Sequence, residues 1–502
     1  MRGFNPWRRS QSLASRCSEF AERPSKRRPH GAEAVLERKV PCFEGVLPSL
    51  RSKRRDSADS CSSHACDELL LLLVHILKVT QAHYPFQSRG GPAIKVRSIA
   101  RALVARGHHV TVLTADLGFK PAEIALVAAA REGRGWRSEL DGVVVHYLPT
   151  QCRYRNLTLN LGVMGFCRGQ LREFDIVHIY GLYDSLGPVV GWYCRQYGIP
   201  YLVEPLGMTR PMDRGFRLKK LWSRLSKGYL PGASRLIATS ELERAELLLE
   251  GFHPSRVRLR YNGIDWEEFR RLPQPGTFRQ KTGLGDNEPI IVSLGRIIPR
   301  KGADLLIEAL PQIGDPKAKL VIAGPEAEAG YVTSLKAKAR ALGVEHRVLF
   351  PGPLYSDDKK AALADAFVFA LPSRYENFGN TAAEAVACGT PAIVTDHCGI
   401  APLLNQRAGL VTAYDASAVA RTLSNLLHDA SLYQRLKGGC RQVAYELSWD
   451  RLVEGMLGFY EEVTDQSHPR RLFDVRLEQT SRAGTSSEER QLGDRTTPVG
   501  PS

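Results

Sequence analysis

Short apolar runs recur along the chain at intervals that leave room for a helix between them. In the first half they are Val74–Thr80, His109–Ala115, Val143–Leu148, Ile176–Tyr180, Tyr201–Val203, Arg235–Thr239 and Val257–Tyr261. In the second half they are Ile290–Leu294, Lys319–Ala323, Val348–Phe350, Ala366–Leu371, Ala392–Thr395 and Leu410–Thr412. Most lack the polar alternation of a strand with one wet face, so they predict strands covered by helices on both faces. Ile94–Arg106 predicts an amphipathic helix, with Ile94, Ile99, Leu103 and Val104 on its apolar side and Gly107 as its stop. Strands alternating with helices predict an α/β fold with parallel sheets. The stretch Leu69–Val79 is apolar but interrupted by His75 and Lys78, and far short of the ~20 residues of a membrane span. It is read as entering a buried strand.

Proline and glycine punctuate the chain most densely near 266–288, in Leu272–Gly276 and Gly283–Pro289. The organisation this predicts is a polar, Ser- and Arg-rich extension over 1–68 and a first Rossmann-like domain over 69–270. A second such domain follows over 271–448, then a C-terminal helix over 449–465 and a polar tail over 466–502. Two doubly wound domains would face each other across a central cleft, with ligands at the carboxyl ends of the strands.

Two segments of the second half carry candidate chemistry. After the run Ile290–Leu294 comes a loop with Gly295, Arg296, Lys301 and Gly302. Two cations there can hold a diphosphate and neutralise the charge that grows on a leaving phosphate. After Ala366–Leu371 comes Ser373–Pro391, with Glu376, Asn377, Phe378, Gly379, Asn380, Thr381 and Glu384. A helix is predicted from near Asn380 to Gly389. Its start offers free N–H groups to a phosphate, and Gly379 lets the backbone approach a ligand closely. Glu384, one turn inside, can accept hydrogen bonds from a ribose diol. Glu376, in the loop, can bind sugar hydroxyls or stabilise a positive, oxocarbenium-like centre. No Asp-x-Asp metal motif occurs, and Asp357 and Asp358 read as a helix cap.

In combination these residues resemble the signature of the family 4 glycosyltransferases of the GT-B fold. Asn262–Asp265 resembles that family's interdomain motif, and Ser88–Pro92 its first-domain glycine loop. Arg106–Val110 fits the strand entry that follows, and the likeness spans about 75 to 465. It implies a nucleotide-diphosphate sugar donor and transfer to a hydroxyl acceptor with retention; with no Asp-x-Asp motif, cationic side chains are expected to do the work of a divalent metal, and no cofactor is expected. It further implies that Arg296 and Lys301 bind the diphosphate, Glu384 the ribose, and Glu376 with Asn377–Thr381 the transferred sugar. Gly91 would bring its N–H to the phosphates from the opposite domain. An envelope or exopolysaccharide glycan, free or lipid-linked, is the acceptor common among such enzymes. Asp175–His178 also resembles a family element, although His178 reads equally well as a packed strand-end histidine. One departure stands out: many relatives carry a histidine in a Pro-His-Gly context, where this chain has Leu206 within Glu204–Met208.

Composition narrows the picture. The chain has 502 residues, 43% hydrophobic and 24% charged, enough for two cores. Ten scattered cysteines point to a reducing compartment rather than a disulfide scaffold, and Cys61, His64 and Cys66 lack metal-site spacing. A net charge of +16 favours anionic partners. No secretory leader is read, so a cytoplasmic enzyme is expected. The basic segment Arg210–Lys227 is either a solvated helix face or a peripheral contact with the anionic inner face of a membrane. Rival functions are a nucleotide-sugar epimerase, a dinucleotide oxidoreductase and a nucleic-acid-binding protein. They lack, respectively, a second acid/base set, the GxGxxG spacing and a recognition motif.

Overall fold

The computed structural model of the chain describes residues 73–467, apart from 87–90, 155–156 and 210–227. The 1–68 extension, most of the 466–502 tail, Ser88–Gly90, the Cys61–Cys66 cluster and Arg210–Lys227 therefore lie outside the described residues.

The first domain is built on a nine-stranded sheet. Its strands are β1 (His75–Thr80), β2 (His109–Ala115), β3 (Ala130–Glu132), β4 (Gly135–Leu140) and β5 (Val143–Leu148). A separate hairpin, β6 (Cys152–Tyr154) and β7 (Leu157–Leu159), precedes β8 (Ile176–Tyr180), β9 (Tyr201–Glu204), β10 (Arg235–Ala238) and β11 (Val257–Leu259). The order is β11-β10-β9-β8-β1-β2-β5-β4-β3, parallel throughout except where β4 pairs antiparallel with β3 and β5. The second domain holds β12 (Ile290–Leu294), β13 (Lys319–Ala323), β14 (Val348–Gly352), β15 (Val368–Leu371), β16 (Ala392–Thr395) and β17 (Gly409–Thr412). Their order, β14-β13-β12-β15-β16-β17, is the doubly wound one with its reversal between β12 and β15. The first sheet reverses likewise between β1 and β8.

Every strand predicted from the apolar runs is present, within two residues of its predicted ends. The cause is visible in the packing. Leu77, Val79, Val177 and Ile179 enter one core while Ile76, Ile176, Tyr180 and Leu202 enter another on the opposite face. Ile290 and Val292 are separated from Ile291 in the same way in the second domain. Burial on both faces removes any need for alternation. The edge strand β3, its neighbour β4 and the hairpin β6–β7 do not form apolar runs: β3 is exposed throughout, and β4 exposes Arg137 and Glu139.

Four helices matter for the site. Helix α1 (Gly91–Val104) ends before Gly107, which adopts φ 90°. Its buried face is Ala93, Val96, Ile99, Ala100 and Leu103, whereas Ile94 is exposed. Ile94 and Ile99 are five residues apart, about 140° around a helix, so they cannot share a face. Helix α2 (Glu241–Leu249) starts at an N-cap, Ser240, whose side chain accepts from Glu243 N. Helix α3 (Asn380–Ala387) follows β15 and ends ahead of Gly389, as its sequence predicted. Helix α4 (Trp449–Ser467) returns to the first domain, setting Trp449, Val453, Met456 and Tyr460 beside Val96, Ile99 and Leu103. Tyr355 stands at the N-cap position of the helix Ser356–Ala364 without a side-chain cap bond, so Asp357 and Asp358 lie inside its first turn rather than at its cap.

The chain crosses between domains twice in one place. Ile264 N donates to Leu447 O at 2.8 Å, and Trp449 N donates to Ile264 O at 3.1 Å. Gly263 is required there, since a Cβ would lie 2.6 Å from the Trp449 ring. Phe269 and Phe278 are buried in the second domain's core, with β12 beginning at Ile290.

Candidate functional site

Because β12 and β15 are neighbours at the sheet's reversal, the loops that follow them border one crevice. Arg374 N donates to Arg300 O at 2.9 Å. Gly302 adopts φ 74°, and a Cβ on it would lie 2.0 Å from Pro372 O. That close approach brings the Lys301 ammonium onto the Glu376 carboxylate as an ion pair, each side chain less than a fifth exposed. Arg296 is exposed and lines the same hollow as Lys301, with Ser293, Gly295 and Leu371.

The loop around Glu376 is held by backbone. Glu376 N donates to His397 O at 3.0 Å, Gly399 N to Glu376 O at 2.9 Å, and Ile400 N to Phe378 O at 2.7 Å. Phe378 is buried at 2% exposure and anchors the loop, so it holds the loop rather than offering a ring to a ligand. Gly379 takes φ 109°, with Cys398 Sγ 2.8 Å from where its Cβ would be. Asn380 is exposed and Thr381 half-buried in the first turn of α3, where unshared N–H groups and the positive dipole end attract an anion. Glu384, one turn on, accepts from Lys359 Nζ at 3.0 Å and is 22% exposed.

The first domain meets this crevice at α1. A Cβ on Gly91 would lie 3.0 Å from Asn380 Nδ2, so the N-termini of α1 and α3 face each other. A polar chain runs beside them: Lys95 Nζ donates to Asn262 Oδ1, and Asn262 Nδ2 donates to Asn380 Oδ1 at 3.1 Å. Asn262 belongs to the segment expected to join the domains, and it touches both. Asn377 reaches the other way, donating to Thr239 Oγ1 at 2.7 Å. Contacts thus join Gly91 to Asn380 and Lys301 to Glu376, with Arg296 in the hollow beside Lys301, while Phe378 is buried in the second domain's core and Glu384 lies one turn along α3.

His178 is the packed histidine. It is fully buried, its Nδ1 2.8 Å from Tyr460 Oη, and burial with Lys78 and Arg260 nearby lowers its pKa well below the usual value. Leu206 adopts φ 59°, left-handed for a non-glycine, and lines a hollow in the first domain with Tyr183, Asp184 and Met208. An apolar wall therefore stands at this position.

Sequence reasoning passed over the charges behind the crevice. Glu204, at the end of β9, is fully buried and pairs with both Lys95 and Arg260. Lys78, also fully buried, donates to Tyr180 Oη at 2.9 Å and Tyr460 Oη at 3.2 Å. Burial and Arg260 press the pKa of both lysines well below the ordinary lysine value. The available signal was a charge inside an apolar run, Lys78 in one strand and Glu204 closing another. Among the described residues, no group of three or more His, Cys, Asp and Glu side chains gathers as a metal site would. Nor is any described helix long and apolar enough to cross a membrane.

Asp184 offers a pH test. Burial pushes its pKa up to about 6, partly offset by Leu186 N and Gly187 N, which both donate to Oδ1. A raised acid pKa means the folded state disfavours the carboxylate. Stability is unharmed below the unfolded value and declines as pH rises through about 6. Asparagine keeps an Oδ1 for both donors. Asp184→Asn should therefore match wild type near pH 4 and gain up to roughly 3 kcal/mol above pH 7. Denaturant midpoints of both proteins across that range check it, and a pH-independent difference would contradict it.

Comparisons with known proteins agree with this geometry. The family description "Glycosyl transferases group 1" matches residues 276–443, and "Glycosyl transferase 4-like domain" matches residues 90–263. D-inositol 3-phosphate glycosyltransferase of Salinispora arenicola is 32% identical over 404 residues, covering 74% of this chain and 87% of the relative. An uncharacterised glycosyltransferase of Methanocaldococcus jannaschii is 28% identical, covering 75% of this chain and 96% of its own. Among solved structures, sucrose-phosphate synthase of Thermosynechococcus elongatus superposes with a TM-score of 0.61 at 22% identity, covering 78% of this chain and all of the other. Anabaena HepE in complex with UDP-glucose gives 0.61 at 20% identity, with the same coverage. With two doubly wound domains, a crevice between them and these relatives, the chain belongs to family 4 of the GT-B glycosyltransferases.

Proposed function

We propose that the chain transfers a hexosyl group from a nucleotide-diphosphate sugar to a hydroxyl on a glycan, free or lipid-linked, with retention and without a metal. The observation that carries this reading is the Lys301–Glu376 pair in a crevice flanked by the facing N-termini of α1 and α3. The diphosphate would sit between those helix ends, with Lys301 and Arg296 taking the place of a divalent cation. In binding there it would draw Lys301 off Glu376, leaving that carboxylate to the sugar. The bond from C1 to the β-phosphate oxygen breaks with its electron pair passing to the phosphate, where the cations and N–H groups stabilise it. The acceptor oxygen bonds to C1 on the same face and its proton passes to the departing phosphate. Since Leu206 is apolar, no side chain at that position shares in this step, and positioning carries more of the catalysis.

The two glutamates should separate binding from turnover. Glu384→Ala should weaken affinity for UDP by roughly tenfold, the worth of one charge-assisted hydrogen bond. Glu376→Ala should leave UDP affinity within about twofold but reduce turnover of UDP-glucose by roughly a hundredfold. Calorimetry and product assays on the same preparations measure both. UDP-hexoses are the first probes because HepE is seen with UDP-glucose, and GDP- and ADP-hexoses are run beside them. Equal losses of nucleotide affinity in the two variants would refute the division of roles.

A further inference from the structure

Helix α2 carries two acidic side chains three residues apart on its buried face, Glu243 fully buried and Glu246 5% exposed. Such burial of a charged group is costly unless several donors reach it. The donors come from both sides of the cleft. Glu243 Oε1 accepts from Gly207 N, and its Oε2 accepts from Asn377 Nδ2 at 3.3 Å. Glu246 Oε2 accepts from Thr209 Oγ1 at 3.4 Å and from Tyr375 Oη at 3.2 Å. Each carboxylate therefore holds one residue of the 205–209 loop and one residue of the 375–377 loop. The first loop, through Leu206 and Met208, walls the hollow of the first domain. The second carries Glu376 between Tyr375 and Asn377.

Helix capping accounts for part of this. Glu243 Oε2 also accepts from Thr239 N at 2.8 Å and Thr239 Oγ1 at 2.7 Å, as a carboxylate near a helix start commonly does. Capping does not require a second carboxylate, nor that both reach into the opposite domain. The seam they occupy is tight. A Cβ on Gly207 would lie 2.8 Å from Asn377 Cγ, and one on Gly399 would lie 2.5 Å from Ser240 Cβ.

We propose that Glu243 and Glu246 are positioning residues that clamp the Glu376 loop to the wall of the first-domain hollow. Occupation of that hollow by an acceptor is then felt at Glu376, because any shift of the 205–209 loop moves the carboxylates that hold Tyr375 and Asn377. The inference rests on the reading that Glu376 faces the transferred sugar.

Amide exchange and turnover on the full chain separate the two ideas. The proteins are wild type, Glu246→Ala, Tyr375→Phe, their double variant, and Glu243→Gln, which keeps the side chain's volume and one oxygen acceptor. Without ligand, Glu246→Ala and Tyr375→Phe should each speed exchange of the 374–379 amides by roughly tenfold over wild type, and the double variant no further. UDP affinity should stay within about twofold, while kcat for UDP-glucose hydrolysis falls roughly tenfold at little-changed KM. Glu243→Gln should fall less than Glu246→Ala. Unchanged exchange, or losses that multiply in the double variant, would overturn the clamp. Coupled exchange in a protein that neither binds UDP nor hydrolyses any hexose donor would instead sink the sugar reading of Glu376, and the role of the clamp in turnover with it.

Discussion

Lys301→Ala should lower turnover of the nucleotide-sugar donor by roughly 10²–10³-fold, the scale of removing one stabiliser of developing charge. Two effects act together. The leaving phosphate loses an ammonium held in a crevice where water screens poorly. Glu376 loses the partner that holds it in place, and a carboxylate only 19% exposed is left without its counter-charge. UDP affinity should fall as well, by roughly tenfold, which distinguishes this variant from Glu376→Ala. Arg296→Ala should cost less, because Arg296 is exposed and its charge is screened. Added magnesium or manganese should not restore Lys301→Ala, and wild type should keep its rate in excess EDTA. Full loss of wild-type activity on chelation, restored by metal, would show that the diphosphate is neutralised otherwise.

How much of this was legible beforehand depended on what each residue answers to. The strands of both sheets were legible because burial on both faces imposes an apolar run, and a run is a local property. The loops holding Lys301 and Glu376 were legible because glycines at 302 and 379 mark backbone that must turn sharply or pass close to a neighbour. Ile94 is apolar but lies about 140° around α1 from Ile99, so it faces solvent while Ala93, Val96, Ala100 and Leu103 form the buried face. Strand β3 escaped because an exposed edge places little demand on composition, and β4, between β3 and β5, because its exposed Arg137 and Glu139 break any apolar run. The partners of Glu376 and Asn377 were invisible for another reason. Lys301 lies 75 positions from Glu376, and Thr239 lies 138 from Asn377. No local pattern encodes such pairs; they follow from strand order, which brings β12 beside β15, and from the closeness of α2 to the second domain.

The buried charges behind the crevice give the sharpest contrast in expected stability. Glu204, Lys95, Arg260 and Lys78 are each no more than 5% exposed. Glu204 bridges Lys95 and Arg260, so Glu204→Gln removes the counter-charge of two buried cations at once. Breaking a buried pair from one side costs about 3–5 kcal/mol, so the melting temperature should drop by roughly 10 °C. Lys78 differs, because it donates to two tyrosine hydroxyls and it lies near Arg260, which repels it. Without it, Tyr460 Oη keeps His178 Nδ1 at 2.8 Å, and Tyr180 Oη lies 3.2 Å from the same nitrogen. Lys78→Met should therefore fall within about 1 kcal/mol of wild type, or exceed it, since an apolar chain of similar length replaces a charge that burial disfavours. The two substitutions lie in one network, on strands β9 and β1 with only β8 between them, yet they should move stability by very different amounts. Thermal and denaturant unfolding of both variants decides the matter. Equal destabilisation would mean that Lys78 is as necessary a charge as Glu204, and that the network is a single ion cluster rather than one carboxylate serving two cations.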